Sequence, residues 1–310
     1  MRLGIIGGAG TLGSTMGFYF ACHGWFEEVV LLDLKENMVR WHVMDIEQAI
    51  SDLNATKVSY GTWKDLDRCD VILMTAGLPH ANVSSRNEFL KGNAKIIESV
   101  AQNIRQYCED AVIINATVPV DVFNYAFYKL IGFDRRRFLG FNRNDSLRLR
   151  WAAAKVLGLN QLTMGGYVLG EHGETQVPVY GTLTSNDKKI DLSSSQKADI
   201  GAVVKNWFAE SQSLNTGRTS GWTSTTSMAK VVEAMVKESP VPITCSIVLE
   251  GEYGLSDVSV GLPVLLGPKG WKEVVHLELT PEEEAALQHS AKTIRKLIDD
   301  SQLIKNSSLT

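Results

Sequence analysis

Cysteine is scarce: four residues in 310, Cys22, Cys69, Cys108 and Cys245, with no C-x-x-C pair and no nearby histidine at metal-ligand spacing. That scarcity argues against a disulfide framework and a structural zinc, and for a reduced, cytoplasmic setting without bound metal. No apolar run approaches the ~18 to 20 residues that a membrane helix needs. Glycines interrupt MRLGIIGGAG where a signal peptide would be apolar. Basic blocks are missing too. The longest cluster, Arg135 to Arg137, reads as a solvated turn, and a net charge of -4 argues against a general polyanion surface. Nucleic-acid and membrane partners are therefore not expected. Neither an internal repeat nor a low-complexity linker is found.

The residues present suit a large core. A hydrophobic fraction of 44% and a charged fraction of 21% belong to an ordinary globular chain, and 310 residues suit two domains. In the first half, short runs rich in Val, Ile and Leu (2–7, 28–33, 57–61, 70–77 and 111–116) alternate with helical patterns. Nearly continuous apolar character marks strands buried on both faces. The last of the intervening patterns, NAKIIESVAQNIRQYC, puts Ile96, Ile97, Val100, Ile104 and Tyr107 on one stripe. Strand–helix alternation of this kind predicts right-handed crossovers and a doubly wound parallel α/β sheet. After about Gly140 the pattern changes. A helix over 144–158, extended pieces, a helix near 195–213 and a Ser/Thr-rich entry (219–227) to a helix through Val236 follow. Two hairpin strands and a charged helix from Pro281 complete an α+β second domain. The expected division is 1–140 and 141–310.

GIIGGAGTLGS holds Gly8-x-Gly10-x-x-Gly13 between a strand and a helix. Residues without a Cβ let backbone N–H groups approach a pyrophosphate at the positive end of the helix. Asp33 ends the next strand, twenty residues past Gly13, where a carboxylate accepts hydrogen bonds from a ribose and repels a 2′-phosphate. Strand, fingerprint, helix, strand and acid in that order point to NAD rather than NADP.

His172 stands between two glycines in YVLGEHGETQVPVY, where a proton carrier or a mere loop histidine is equally compatible with the local sequence. Asp145 and Arg148, three apart in NDSLRLRW, share a helix face. Alone they read as a surface ion pair of little energy. The loop TAGLPHANVSSRNEFLKGN begins where the fourth strand ends and carries His80 and Arg86. Together these residues match what hydride transfer to a 2-oxo acid requires. A histidine donates a proton near neutral pH, an arginine fork grips a carboxylate, and a second cation polarises the carbonyl under a closing loop.

The stretches IIGGAGTLGS, LLDL, VMDI, MTAGLPH, VPVDV, DSLRLR, VLGEHGETQVPVY and EGEYGLSDVSVGLPVLLG resemble the L-lactate/malate dehydrogenase family from residue 2 to about residue 300. The resemblance implies a Rossmann-type sheet with a second α+β catalytic domain, an NAD cofactor, a small L-2-hydroxy/2-oxo acid substrate and a homodimer or homotetramer. By it His172 is the acid/base, Asp145 holds its ring, Arg148 grips the substrate carboxylate and Arg86 polarises the carbonyl. His80 and Thr219 fall at substrate-binding positions. Gly8, Gly10, Thr11, Leu12, Gly13, Asp33, Thr75, Ala76, Gly77 and Val118 fall at cofactor-binding ones. The glycines flanking His172 are expected to leave room for nicotinamide and substrate.

Three positions depart from the family pattern. His80 replaces the glutamine of lactate enzymes and the arginine of malate enzymes; without that arginine, a lactate-like monocarboxylate is slightly favoured. Arg218, beside Thr219, supplies a replacement charge only if it points inward, and an outward orientation is expected. Val118 stands where an asparagine normally bonds the reacting oxygen, a loss worth on the order of a hundredfold or more in rate. Asn115 sits three residues too early to substitute, which leaves Asn142 or Asn144 as replacements. Some lactate enzymes bind an activating sugar bisphosphate through a histidine and an arginine. Arg150 keeps the second, but Gly165 replaces the first, so no such activation is expected. Val118 leaves open a second reading, an NAD(H)-binding family member with altered substrate or weakened catalysis. A third, an NAD-dependent glycosidase, lacks the metal-binding cysteine–histidine pair it needs.

Overall fold

The computed structural model describes residues 1–78, 86–218 and 220–304, with backbone only at 86–89, 208, 209 and 212. Six strands, β1 (Arg2–Ile6), β2 (Glu28–Leu32), β3 (Lys57–Tyr60), β4 (Val71–Met74), β5 (Val112–Asn115) and β6 (Phe138–Gly140), pair in parallel in the order β3-β2-β1-β4-β5-β6. Helices α1 (Thr11–His23), α2 (Glu36–Ile50), α3 (Arg86–Tyr107) and α4 (Val120–Ile131) make the connections. This is the doubly wound sheet that the alternating pattern predicts. The chain reverses direction across the sheet between β1 and β4, and in open α/β sheets ligands bind beyond the strand ends at such a point.

The second half contains α5 (Arg143–Leu157), β7 (Met164–Gly170), β8 (Gln176–Ser185), β9 (Lys188–Lys189), α6 (Ser194–Ser213), α7 (Gly221–Val236), β10 (Ile243–Glu250), β11 (Ser256–Gly267), β12 (Gly270–Val274) and α8 (Pro281–Ser301). Its strands are antiparallel, and β10 pairs with β6 through Ser246 and Gly140, so one sheet runs on through both halves. A continuous apolar core follows that sheet. A smaller cluster, including Leu149, Ala152, Ala153, Val168, Leu183 and Ile200, lies between α5, β7, β8 and α6.

Four details differ from the sequence expectations. Helix α4 was not foreseen: nine of its twelve residues are buried, although Asp121, Asn124, Tyr125, Tyr128 and Lys129 recur on one face at helical spacing. Over 221–227 the Ser/Thr run is not an entry but the body of α7, with Ser224, Thr225 and Ser227 buried. The second hairpin segment breaks at Gly270, φ +110°, to form the additional strand β12. Helix α3 starts seven residues earlier than NAKIIESV suggests. Among the described residues no helix is long and apolar enough to cross a membrane. The four cysteines are free thiols, and burial pushes Cys69, Cys108 and Cys245 up to about 12.

Candidate active site

The glycine turn leaves β1 and enters α1 at the switch point. Gly7 and Gly8 donate their N–H groups to Leu32 O at 2.9 and 3.0 Å, and Gly10 N–H bonds Gly7 O at 3.0 Å. A Cβ on Gly13 would lie 2.2 Å from Gly7 O, so no larger residue fits. The most constrained position is Gly7, outside the three-glycine pattern. Its φ is +96°, and a Cβ there would meet Ala76 N at 2.5 Å. The only sequence signal was the doubled glycine. Helix α1 has no side-chain cap and no acid in its first turn. The amides of Thr11, Leu12 and Gly13 therefore begin the helix without a protein acceptor competing for them, which suits a pyrophosphate. Asp33 Oδ2 accepts from Ala9 N–H at 3.1 Å and Oδ1 from Lys35 N–H at 3.0 Å, which hold the carboxylate beside the turn.

The ends of β4 and β5 form the adjoining wall. Thr75 Oγ1 donates to Ile6 O at 2.8 Å, and Thr117 Oγ1 donates to Ala76 O at 2.7 Å. A Cβ on Gly77 would press on Thr117 Cγ2 at 3.2 Å. Asn93, which the sequence did not single out, is buried between the two loops. It accepts Leu78 N–H at 2.8 Å and donates to Val118 O at 3.0 Å. Asn115 spends its side chain on Thr117 N–H, Thr117 O and Val120 O, so it braces the turn and is not free to replace the missing asparagine. The conjectured substitutes fare no better. Asn142 packs its amide against Gly261, and Asn144 donates to Ser224 Oγ at 2.9 Å.

His172 lies on the turn between β7 and β8. Its Nδ1 is 2.6 Å from Asp145 Oδ2, on the first turn of α5, and Arg148 reaches the other oxygen of Asp145 at 3.3 Å. The guanidinium of Arg148 sits 4.6 Å from the ring centre of Trp207 on α6, a stacking contact invisible in the sequence. The backbone N–H of His172 bonds Asp121 Oδ2 at 2.8 Å. Burial opposes the imidazolium; the charge and hydrogen bond of Asp145, with Asp121 behind them, outweigh it and raise the pKa of His172 above its ordinary value. Asp121 itself is fully buried, and loss of hydration raises its carboxyl to about 6.

The flanking glycine Gly170 also has a packing role. Gly170 has φ +85°, and a Cβ there would meet Ser290 Oγ of α8 at 2.8 Å. Ser290 in turn accepts Glu171 N–H at 2.7 Å, and Glu171 Oε2 bonds Thr175 N–H and Oγ1 at 3.1 and 2.7 Å. The turn is therefore pinned from α8, and the glycine permits that close approach.

Arg86 is the first residue of α3, but its side chain lies outside the described atoms; His80 and Thr219 lie outside the described residues altogether. Arg218 is exposed and stacks on Trp222 at 4.9 Å, the outward orientation expected of it.

A dinucleotide cradle at the switch point of a parallel sheet, followed by an α/β half carrying a histidine–aspartate pair, places the protein among the NAD-binding oxidoreductases. The chain belongs to the lactate/malate dehydrogenase family: the model of that family's NAD binding domain matches residues 1–140, and that of its alpha/beta C-terminal domain residues 143–303. A malate dehydrogenase of Sulfurimonas denitrificans is 34% identical over 304 residues, covering 96% of this chain and 95% of that protein. The malate dehydrogenase structure from Aeropyrum pernix superposes with a TM-score of 0.91 at 25% identity, covering 97% of this chain and 99% of the other. A lactate dehydrogenase structure from Cryptosporidium parvum, complexed with lactic acid and nicotinamide adenine dinucleotide, superposes with a TM-score of 0.90 at 25% identity, covering 99% and 98%.

Proposed function

We propose that the protein interconverts a small 2-oxo acid and its L-2-hydroxy acid, with His172 as the proton donor and acceptor. NAD, when bound, accepts or supplies the hydride at C2. The observation that carries this reading is the 2.6 Å contact of His172 Nδ1 with Asp145. It fixes the ring and leaves Nε2 as the proton-exchanging nitrogen. Asp145 stabilises the imidazolium, as a buried carboxylate does when held on the far ring nitrogen. Arg148, whose guanidinium lies 4.6 Å from the centre of the Trp207 ring, grips the substrate carboxylate. Arg86 polarises the substrate carbonyl, and His80 and Thr219 line the substrate side. Gly8, Gly10, Thr11, Leu12, Gly13, Asp33, Thr75, Ala76, Gly77 and Val118 hold the dinucleotide.

Among substrates, a monocarboxylic 2-oxo acid is slightly favoured over a dicarboxylate, because histidine rather than arginine stands at position 80. The relatives' names include both lactate and malate dehydrogenases. Val118 also supports a second reading, an NAD(H)-binding member with an altered substrate or slowed chemistry. One experiment separates them: NADH oxidation across pyruvate, oxaloacetate, and branched and aromatic 2-oxo acids. Turnover with a monocarboxylate supports the first reading; tight NADH binding without turnover on any acid replaces it with the second.

The family matches on either side of residue 141 support two functional units, 1–140 and 141–310. Free cysteines support a reducing, cytoplasmic compartment. Exposed Met38, Trp41 and Met44 on α2, Phe18 on α1 and Trp222 on α7 are too apolar for solvent and support a homodimer or homotetramer.

A further inference from the structure

Arg148 is supported by two groups, and only one of them is charged. Its Nη1 lies 3.3 Å from Asp145 Oδ1, long beside the about 2.8 Å of a tight charge-assisted hydrogen bond. Asp145 makes its closer contact, 2.6 Å, with His172. Among the described residues Arg148 has no other acid partner. The second support is Trp207 on α6: the guanidinium carbon lies over its ring, 4.6 Å from the centre. That placement follows from how α6 meets α5. Ile200, Val203, Val204 and Trp207 recur at helical spacing on one face of α6. Ile200, with Val203 and Val204 beside it, packs on Leu149, Ala152 and Ala153 of α5. Arg148 stands one turn before Ala152, and Trp207 one turn after Val203. The aliphatic seam between the helices therefore ends in an indole at the point where α5 presents its cation.

A second carboxylate in that position would hold Arg148 but cancel its charge and compete with an incoming anion. A neutral aromatic ring attracts the cation through its quadrupole and leaves the charge available. The side chain of Arg148 is only 18% exposed, so an indole over the guanidinium also keeps water from part of it, which strengthens attraction to a carboxylate. We propose that Trp207 is a positioning residue, which orients the Arg148 fork for the substrate carboxylate and thereby sets the affinity for the 2-oxo acid. This role rests on the proposed assignment of Arg148 as the carboxylate grip. It adds to that assignment a residue from a different helix, 59 positions further along the chain.

The test compares full-length wild type, Trp207→Phe and Trp207→Leu, loaded with NADH and checked for fold by circular dichroism. Leucine keeps apolar volume against α5 but removes the ring; Trp207→Met, flexible enough to refill the seam, takes its place if it folds poorly. With the best acid of a 2-oxo acid panel, Trp207→Leu should raise KM about tenfold while kcat falls by no more than about threefold. Trp207→Phe keeps a ring and should restore KM to within about threefold of wild type. The methyl ester of the same acid carries no carboxylate charge, and its kcat/KM should be the same in all three proteins. Oxamate, an unreactive 2-oxo acid analogue, should bind the leucine variant about tenfold more weakly by NADH fluorescence, with NADH affinity unchanged. Equal losses with acid and ester, or a leucine variant whose KM and oxamate affinity match wild type, would overturn this role and leave the proposed function standing. A wild type that neither turns over any acid nor binds oxamate would overturn both.

Discussion

Asp121 Oδ2 accepts the backbone N–H of His172 at 2.8 Å, although the two residues are 51 apart in the chain and lie on α4 and the β7–β8 turn. The carboxylate thus fixes the main chain from which the imidazole projects, while Asp145 fixes the ring. Two acids from different helices set the position and the charge of one histidine.

The pH dependence follows from that arrangement. Reduction of a 2-oxo acid needs the imidazolium, so kcat/KM in that direction should fall as pH rises through a midpoint above the ordinary ~6.5 of histidine. Asp145→Asn removes the strongest support for the charged ring and should move the midpoint down by a unit or more, with a large loss of rate. Asp121→Asn keeps an oxygen for the His172 N–H and should move it down less. A midpoint indifferent to both substitutions would show that neither charge reaches the ring.

Stability should respond to Asp121 with the opposite sign from a salt-bridged acid. Its folded pKa, about 6, lies above the ~3.9 of an unfolded aspartate, so the folded state binds the proton more tightly. Its unfavourable contribution grows as pH rises from about 4 to about 6 and is complete above that. Melting temperatures of wild type and Asp121→Asn across this window should diverge, with the wild type losing more on the alkaline side.

Dinucleotide binding should depend on Asp33 and on the turn beside it. Asp33→Ala removes the acceptor for Ala9 N–H and the proposed ribose contact. NADH affinity, followed by fluorescence, should fall about tenfold while NADPH loses less or gains, because the repulsion of a 2′-phosphate is gone. Gly13→Ala forces a Cβ to within 2.2 Å of Gly7 O and should abolish NADH binding. Unchanged affinity in both variants would move the cofactor elsewhere.

Val118→Asn restores a donor at the end of β5. If the oxyanion lies there, kcat on a small 2-oxo acid should rise about tenfold to a hundredfold. A drop confined to one bulky acid would instead show that the valine is a specificity wall for that acid.

Ser290→Ala takes away the acceptor for Glu171 N–H and frees the β7–β8 turn from α8. A buried donor left unpaired costs about 1–3 kcal/mol, measured as a lower urea midpoint. The looser turn should also lower kcat more than it raises KM.

Much of this architecture is legible in the chain because it depends on local patterns. Strands β1 to β5 show as apolar runs, and the cradle shows as glycines at fixed spacing with Asp33 at the end of the next strand. Asp145 and Arg148 share a helix face, which spacing alone reveals. What stays hidden depends on distant contacts. Helix α4, packed among α3, α8, β10 and β11, is an exception: the helical spacing of Asp121, Asn124, Tyr125, Tyr128 and Lys129 was readable in the chain. Asn93, Asp121 and Trp207 are ordinary letters until folding brings Val118, His172 and Arg148 against them. The role of Gly170 depends likewise on Ser290, 120 residues away on the last helix.

The most direct measurement is paired: turnover and NADH binding by His172→Asn, with its fold checked by circular dichroism. Turnover reduced at least a thousandfold, with NADH bound as tightly as by the wild type, is the expected result. Undiminished turnover would mean that another group carries the proton and that the His172–Asp145 pair is structural.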